Sequence, residues 1–290
     1  EAEPERPLFL WVHYIDPHAP YAAPEAAPRR FSHPEPRLVP RSLLNLPGDG
    51  EVDALGRVDA YDEEIAYVDA EIGRLLEGFD GVRSLARALV VFSADHGEAM
   101  MEHEIWFTHG YHVYEELVRI PLAIRGPGVA PGRHRVLTSG LDVAPTILAF
   151  AGAPVPEAWT GFDLRRPAEL PQERTVVAET TAVSRLFGHW RAAIRGHEKW
   201  VALMKAGERE IVKRIYYDLA ADPGELDPRP WPAQPGPGSL LVELAAADPD
   251  PGGLPQKIRH GSRGAATPRL TEERLRRLRA LGYSEPDEAE

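Results

Sequence analysis

Ala88-Leu-Val-Val-Phe92 runs without a break into Ser93-Ala-Asp-His-Gly-Glu98. The apolar run is too short for a helix and suits a strand buried in a sheet, and the polar cluster begins where the strand ends. Open α/β sheets bind ligands just beyond their strand ends, so this junction signals both a fold and a site.

The same grammar recurs on either side. Pro7-Leu-Phe-Leu-Trp-Val-His-Tyr14 predicts a strand buried on both faces, and Asp16-Pro-His-Ala-Pro-Tyr21 follows it. Ile120 to Ile124 predicts a third strand, closed by Gly126-Pro-Gly128. Val58, Tyr61, Ile65, Val68, Ile72, Leu75 and Phe79 recur at spacings of three and four, with Asp62, Glu63, Glu64, Asp69 and Glu71 between them. That pattern predicts a surface helix with one buried stripe. Asp142 to Ala151 predicts another helix, with Asp142 near its start and Gly152 past its end. Strands alternating with helices imply α/β layers.

From about Leu186 the texture changes. Trp190 to Ile194, Trp200 to Met204 and Ile211 to Leu219 read as strands, with Gly196-His-Glu198 turning between the first two, which is the pattern of antiparallel hairpins. A Pro- and Gly-rich section from Asp222 to Gly264 holds a short helix near Leu240 to Ala246 and leads to an amphipathic helix, Thr271 to Leu281. The expected division is residues 1–180, an α/β catalytic part, and residues 181–290, a small antiparallel-sheet and helix subdomain.

Composition narrows the function. The 290 residues suit about two domains, or one large α/β domain with an appendage. Acidic residues outnumber basic ones 45 to 33, giving a net charge of −12, and no stretch concentrates Lys and Arg, so nucleic acid is not an expected partner. The longest apolar stretches, residues 88–94 and 143–155, fall short of the roughly 18 residues a membrane span needs. The absence of cysteine removes disulfides, thiolate metal sites and cysteine nucleophiles. No secretory signal opens the chain, which runs at once into a strand; the expectation is a chain cut from something longer.

Three segments place ligands or proton carriers beyond strand ends. His18 lies between prolines that restrict its loop. In Asp95-His96-Gly97-Glu98 a tight turn can bring a carboxylate and an imidazole onto one cation, with Gly97 permitting the turn. His109, beside Gly110, can deliver a proton at neutral pH, and His112 competes for that role.

Taken together, Asp16-Pro-His-Ala-Pro-Tyr21, Tyr67-Val-Asp-Ala-Glu-Ile-Gly73, Ser93-Ala-Asp-His-Gly-Glu98, the stretch from His109-Gly110 to Arg119-Ile-Pro121, and Leu141-Asp-Val-Ala-Pro-Thr-Ile147 resemble the sulfatases in order and spacing. This is a branch of the alkaline phosphatase superfamily. The resemblance continues through Tyr217-Asp-Leu-Ala-Ala-Asp-Pro-Gly-Glu225 and reappears at Leu278-Arg-Ala-Leu-Gly-Tyr283. It implies an alkaline phosphatase-like, mostly parallel central sheet flanked by helices. It also implies that Asp95 and His96 are metal ligands, for Ca²⁺ above all, with Mn²⁺, Mg²⁺ or Zn²⁺ open. His18 would contact the sulfate and the ester oxygen. His109, twelve residues before Pro121, would help the leaving group depart; His112 matches no family role.

The family nucleophile is a formylglycine made from Cys or Ser in a C-x-P-S-R or S-x-P-S-R motif, expected upstream of this chain together with two more metal carboxylates. Ser32-His-Pro-Glu-Pro-Arg37 is the nearest approach and reads as a loop. The implied activity is metal-dependent hydrolysis of small-molecule or carbohydrate sulfate esters, with the isolated chain inactive. Two alternatives stand beside it: a phosphodiesterase or phosphonate monoester hydrolase of the same superfamily, and a non-catalytic binding domain. Family habit implies a periplasmic or extracellular location.

Overall fold

The computed structural model describes residues 7–25, 27–44, 46–81, 84–180, 189–205, 208–233 and 236–247. They fall into two compact units, one ending at residue 81 and the other beginning at 84. In the first, strands β1 (Leu38–Pro40) and β2 (Glu51–Asp53) pair antiparallel and lead into a 27-residue helix, α1 (Ala54–Asp80). Asp53 caps that helix, its Oδ1 accepting the Leu55 N–H at 3.1 Å and the Arg37 N–H at 2.9 Å.

The helix forms where the spacing predicts, but its buried face differs. Val68 is buried, whereas Ile65 is exposed and Glu63 and Glu64 are almost wholly enclosed. Loop backbone comes to meet these carboxylates. Glu64 accepts N–H groups of His18 at 3.2 Å and Ala22 at 2.5 Å, and Glu63 accepts those of Phe31 at 2.8 Å and of Arg30. A Pro-rich loop has no ladder to satisfy its N–H groups, and the helix carboxylates do so instead. The Phe31 N–H holds Glu63 below the ordinary carboxylate pKa, while burial pushes Glu64 above it.

Residues 7–14 are the second departure from expectation. They form no strand, and Phe9 and Trp11 are 70% and 80% exposed. An apolar run buried on both faces needs strands on both edges, and none of the described strands pairs with it. Residues 31–37 form the expected loop.

In the second unit, β3 (Val90–Ser93), β4 (Ala99–Met100), β5 (Trp106–Thr108), a four-residue helix α2 (Glu115–Val118) and β6 (Leu122–Arg125) follow in order. The two strands expected near 88–92 and 120–124 form, and they pair with each other antiparallel. Every strand pair among the described residues is antiparallel, so the mostly parallel sheet is not seen in them. Parallel pairing of β3 and β6 would need a crossover of a dozen or more residues, usually a long helix, and the only α-helix between them is α2.

Helix α3 (Val143–Phe150) matches its prediction. Ser139 and Asp142 form a reciprocal capping box before it, and Gly152, at φ +68°, follows it. The buried Asp142 also takes a two-point contact from Arg174, at 2.9 and 3.0 Å, and the Phe162 N–H at 2.9 Å.

Strands β7 (Val176–Glu179), β8 (His189–Arg195), β9 (Glu198–Met204) and β10 (Ile211–Asp218) form one antiparallel sheet in the order β10-β9-β8-β7. Gly196, at φ +62°, and His197 make a two-residue turn that pairs Arg195 with Glu198. Alternate residues then face opposite sides. Ala193, Trp200, Ala202 and Met204 meet Leu241 and Ala245 of α4 (Gly238–Ala247), while Trp190, Ala192, Val201, Ile215 and Tyr217 pack with Val113. Strand β7 lies before the expected boundary near 180 and belongs to this sheet. The predicted helix at 271–281 and the motif at 278–283 lie outside the described residues.

At the β7 edge, Glu179 accepts from Arg191 Nε at 2.8 Å and lies 3.5 Å from His189 Nε2. The His189 and Arg191 contacts hold its carboxyl down to about 2, from an ordinary 4.5. A depressed carboxyl contributes stability that is present above its unfolded pKa and lost as pH falls through its folded one. Glu179→Gln is therefore expected to melt below wild type at neutral pH, with the gap closing between pH 4.5 and about 2. Solvent screening of this half-exposed side chain limits the difference to ~1 kcal/mol or less, measurable as melting temperature against pH.

Candidate active site

Strand β3 ends at Ser93, whose Oγ donates to the Pro121 carbonyl at 3.0 Å and ties the strand end to the approach of β6. The next residues turn tightly. Asp95 Oδ1 accepts the His96 N–H at 2.9 Å, and His96 Nδ1 lies 2.8 Å from the Gly97 carbonyl. The Nδ1 proton therefore points at that carbonyl, which leaves Nε2 with the lone pair. Nε2 lies 3.8 Å from Asp95 Oδ2, with the carboxylate 75% and the ring 39% exposed. The turn thus presents two donors on one side, a hard oxygen and an imidazole nitrogen in its ligand tautomer. They fit part of a ligand set for a divalent cation.

Gly97 makes this turn possible. Its N–H donates to Leu117 C=O at 2.8 Å, and a Cβ there would lie 2.0 Å from the Glu116 carbonyl oxygen. Only a residue without a side chain lets the turn lie flush on α2.

His109, just past β5, stacks on His96 with ring centroids 4.0 Å apart and planes 26° from parallel. Its Nδ1 lies 3.2 Å from Glu98 Oε2, a carboxylate with only 6% exposure. That hydrogen bond raises the His109 pKa against the opposing effect of burial. With Nδ1 committed to Glu98, a proton passed onward leaves from Nε2. The structure thus gathers Asp95, His96, Glu98 and His109 at one strand end.

His18 belongs to the other compact unit. Its Nδ1 lies 2.8 Å from the Ala19 carbonyl, and its backbone N–H is held by Glu64. His112 packs against Trp190 and Tyr114, at 5.0 and 5.4 Å between centroids, and burial lowers its pKa. Two supporting groups escaped the sequence reading. Glu98 lies inside the Asp95–Glu98 motif with no role implied by the sequence, and Glu64 falls three residues after Tyr61 and four before Val68, in register with the buried stripe.

A sequence profile of the Sulfatase family matches residues 1–153, more than half of the 290. The chain belongs to the sulfatase family. The matched region includes His18, Asp95, His96 and His109. Similar proteins include the choline-sulfatase of Rhizobium meliloti, 32% identical over 246 residues that cover 77% of this chain and 46% of that protein. Arylsulfatase K of Homo sapiens is 28% identical over 176 residues, covering 56% of this chain and 31% of that protein. The chain spans about half or less of the length of these curated relatives. Among solved structures, the phosphonate monoester hydrolase of Agrobacterium radiobacter superposes with a TM-score of 0.58 at 20% identity, covering 80% of this chain and 53% of that one, a likeness of fold.

Two glycines give opposite expectations for this chain. Gly97→Ala must push the turn off α2 and is expected to lower the melting temperature and to shift the His96 and His109 ring resonances, seen by NMR. Gly73→Ala, in α1 with nothing within 4 Å of the new Cβ, is expected to stabilise by roughly 0.5–1 kcal/mol.

Proposed function

We propose that the chain carries the leaving-group side and part of the metal side of a site that hydrolyses sulfate esters of small molecules or carbohydrates. The observation that carries this reading is the His96–His109 stack at the end of β3, flanked by Asp95 and Glu98. A proton donor held against a ligand pair suits a reaction in which charge builds on a departing oxygen.

Hydrolysis breaks the bond between sulfur and the ester oxygen and forms one from sulfur to an oxygen that comes from water, while the ester oxygen leaves with a proton. Asp95 and His96 are the residues assigned to a divalent cation, Ca²⁺ first by the carboxylate and Mn²⁺, Mg²⁺ or Zn²⁺ as options by the imidazole. When bound, the cation supplies positive charge to the nonbridging sulfate oxygens. His109 donates its Nε2 proton to the leaving oxygen. Glu98 accepts from Nδ1, orients the ring and stabilises the imidazolium before transfer. His18, whose role rests on the family resemblance alone, sits on the loop that Glu64 anchors. No nucleophile is assigned among these residues.

The test uses the full-length natural protein and a series of esters graded by leaving-group acidity. His109→Ala is expected to slow esters of poor leaving groups by roughly 10² to 10⁴ in kcat/KM and esters of acidic phenols far less. His112→Ala is expected to show no such dependence. Equal slopes for the two variants would remove His109 as proton donor. Asp95→Asn is expected to weaken divalent-cation binding measured by calorimetry. Faster turnover of aryl phosphonates than of aryl sulfates would reassign the ester class while keeping the site.

A further inference from the structure

Helix α2 has only four residues, too few to hold its own position by backbone hydrogen bonds. It is gripped from two sides. On one, the turn that carries Asp95 and His96 lies against it through the Gly97 N–H to Leu117 C=O bond. On the other, β9 sends Lys199 into its first turn.

Lys199 has no solvent exposure, and its Nζ lies 3.0 Å from Glu115 Oε1 and 2.9 Å from Glu225 Oε1. Glu225 closes the ring of contacts, because its Oε2 accepts the Glu115 N–H at 2.6 Å. Glu225 also holds a left-handed backbone, φ +53°, which a non-glycine residue adopts only when its surroundings impose it. His103 extends the grip, with Nε2 3.6 Å from Glu116 Oε1 and its ring stacked on Tyr114 at 3.7 Å. The donors of His103, Glu116 and Glu225 lie within 4.8 Å of one another, but the Lys199 ammonium already supplies the cation there.

A buried ion pair of this kind adds little stability over an apolar side chain of the same volume. What it adds is geometry, a strut of fixed length between the C-terminal sheet and α2. We propose that Lys199 and Glu225 are positioning residues. They fix α2, and α2 sets the turn that aims Asp95 and His96, so the C-terminal sheet shapes the metal side of the site without contributing a ligand. This rests on the assignment of Asp95 and His96 as cation ligands made above.

The experiment compares wild type, Lys199→Met, Lys199→Arg, Glu225→Gln and Asp95→Asn in the full-length natural protein, with Leu241→Ala as a control that opens the opposite face of the sheet. The readouts are hydrogen exchange of the Gly97 amide, Ca²⁺ and Mn²⁺ titration by calorimetry, and melting temperature. Lys199→Met is expected to speed Gly97 exchange about tenfold and to weaken cation binding several-fold, with partial recovery in Lys199→Arg. Leu241→Ala is expected to lower the melting temperature while changing neither. If Lys199→Met lowers the melting temperature but leaves Gly97 exchange like that of Leu241→Ala, the residue is merely structural and the proposal falls. If Lys199→Met does not fold, Glu225→Gln decides by the same comparison, since it keeps an oxygen for the Glu115 N–H while its amide nitrogen, a donor, no longer accepts from Lys199. Unchanged cation binding in Asp95→Asn, with Gly97 exchange still faster in Lys199→Met, upholds the clamp and overturns only the ligand assignment.

Discussion

A carboxylate removed from water has to be met by hydrogen-bond donors, and in this chain the donors are largely the N–H groups of loops. Among the described residues, the Pro-rich loops around His18 and Phe31 have no strand partners for their N–H groups. Glu63 and Glu64 hold the loop around His18 and Phe31, Asp142 holds Ser139 and Phe162, and Glu225 holds the start of α2. Loops that carry functional groups are thus tied to the helices beside them, and carboxylates that look like surface charge in the sequence lie buried.

Where secondary structure follows from local pattern, the sequence was a sufficient guide. The alternation in β8 and β9 and the Gly196 turn are period-two signals with a tight hairpin between them, and α3 starts beside Asp142 and ends before Gly152 as its pattern predicts. What the sequence did not disclose depends on partners distant along the chain. Residues 7–14 have the composition of a buried strand, yet burial is a property of what pairs with them. Glu63 and Glu64 have the composition of a solvated helix face, yet loop N–H groups forty or so residues upstream meet Glu64 and offset part of what its burial costs.

The site divides along the same line. Asp95-His96-Gly97-Glu98 was legible because four polar or small residues follow an apolar run at once, which few structural needs explain. That Gly97 serves a close approach to Glu116, and that Glu98 faces His109 eleven residues on, required the fold of the intervening hairpin of β4 and β5. Lys199 carried no signal at all. A lone lysine between Glu198 and Trp200 reads as a solvent-facing strand position, and only a count of buried charges shows what it joins.

The distances along the chain between Glu115 and its two partners have a consequence for synthesis. Lys199 follows Glu115 by 84 residues and Glu225 follows it by 110. At an elongation rate of about 5–20 residues per second, α2 is made several seconds before the groups that hold it exist. The β3 strand and its polar turn emerge earlier still. The contacts of Lys199 and Glu225 with α2 therefore form only after the strand and loop that carry them have been made.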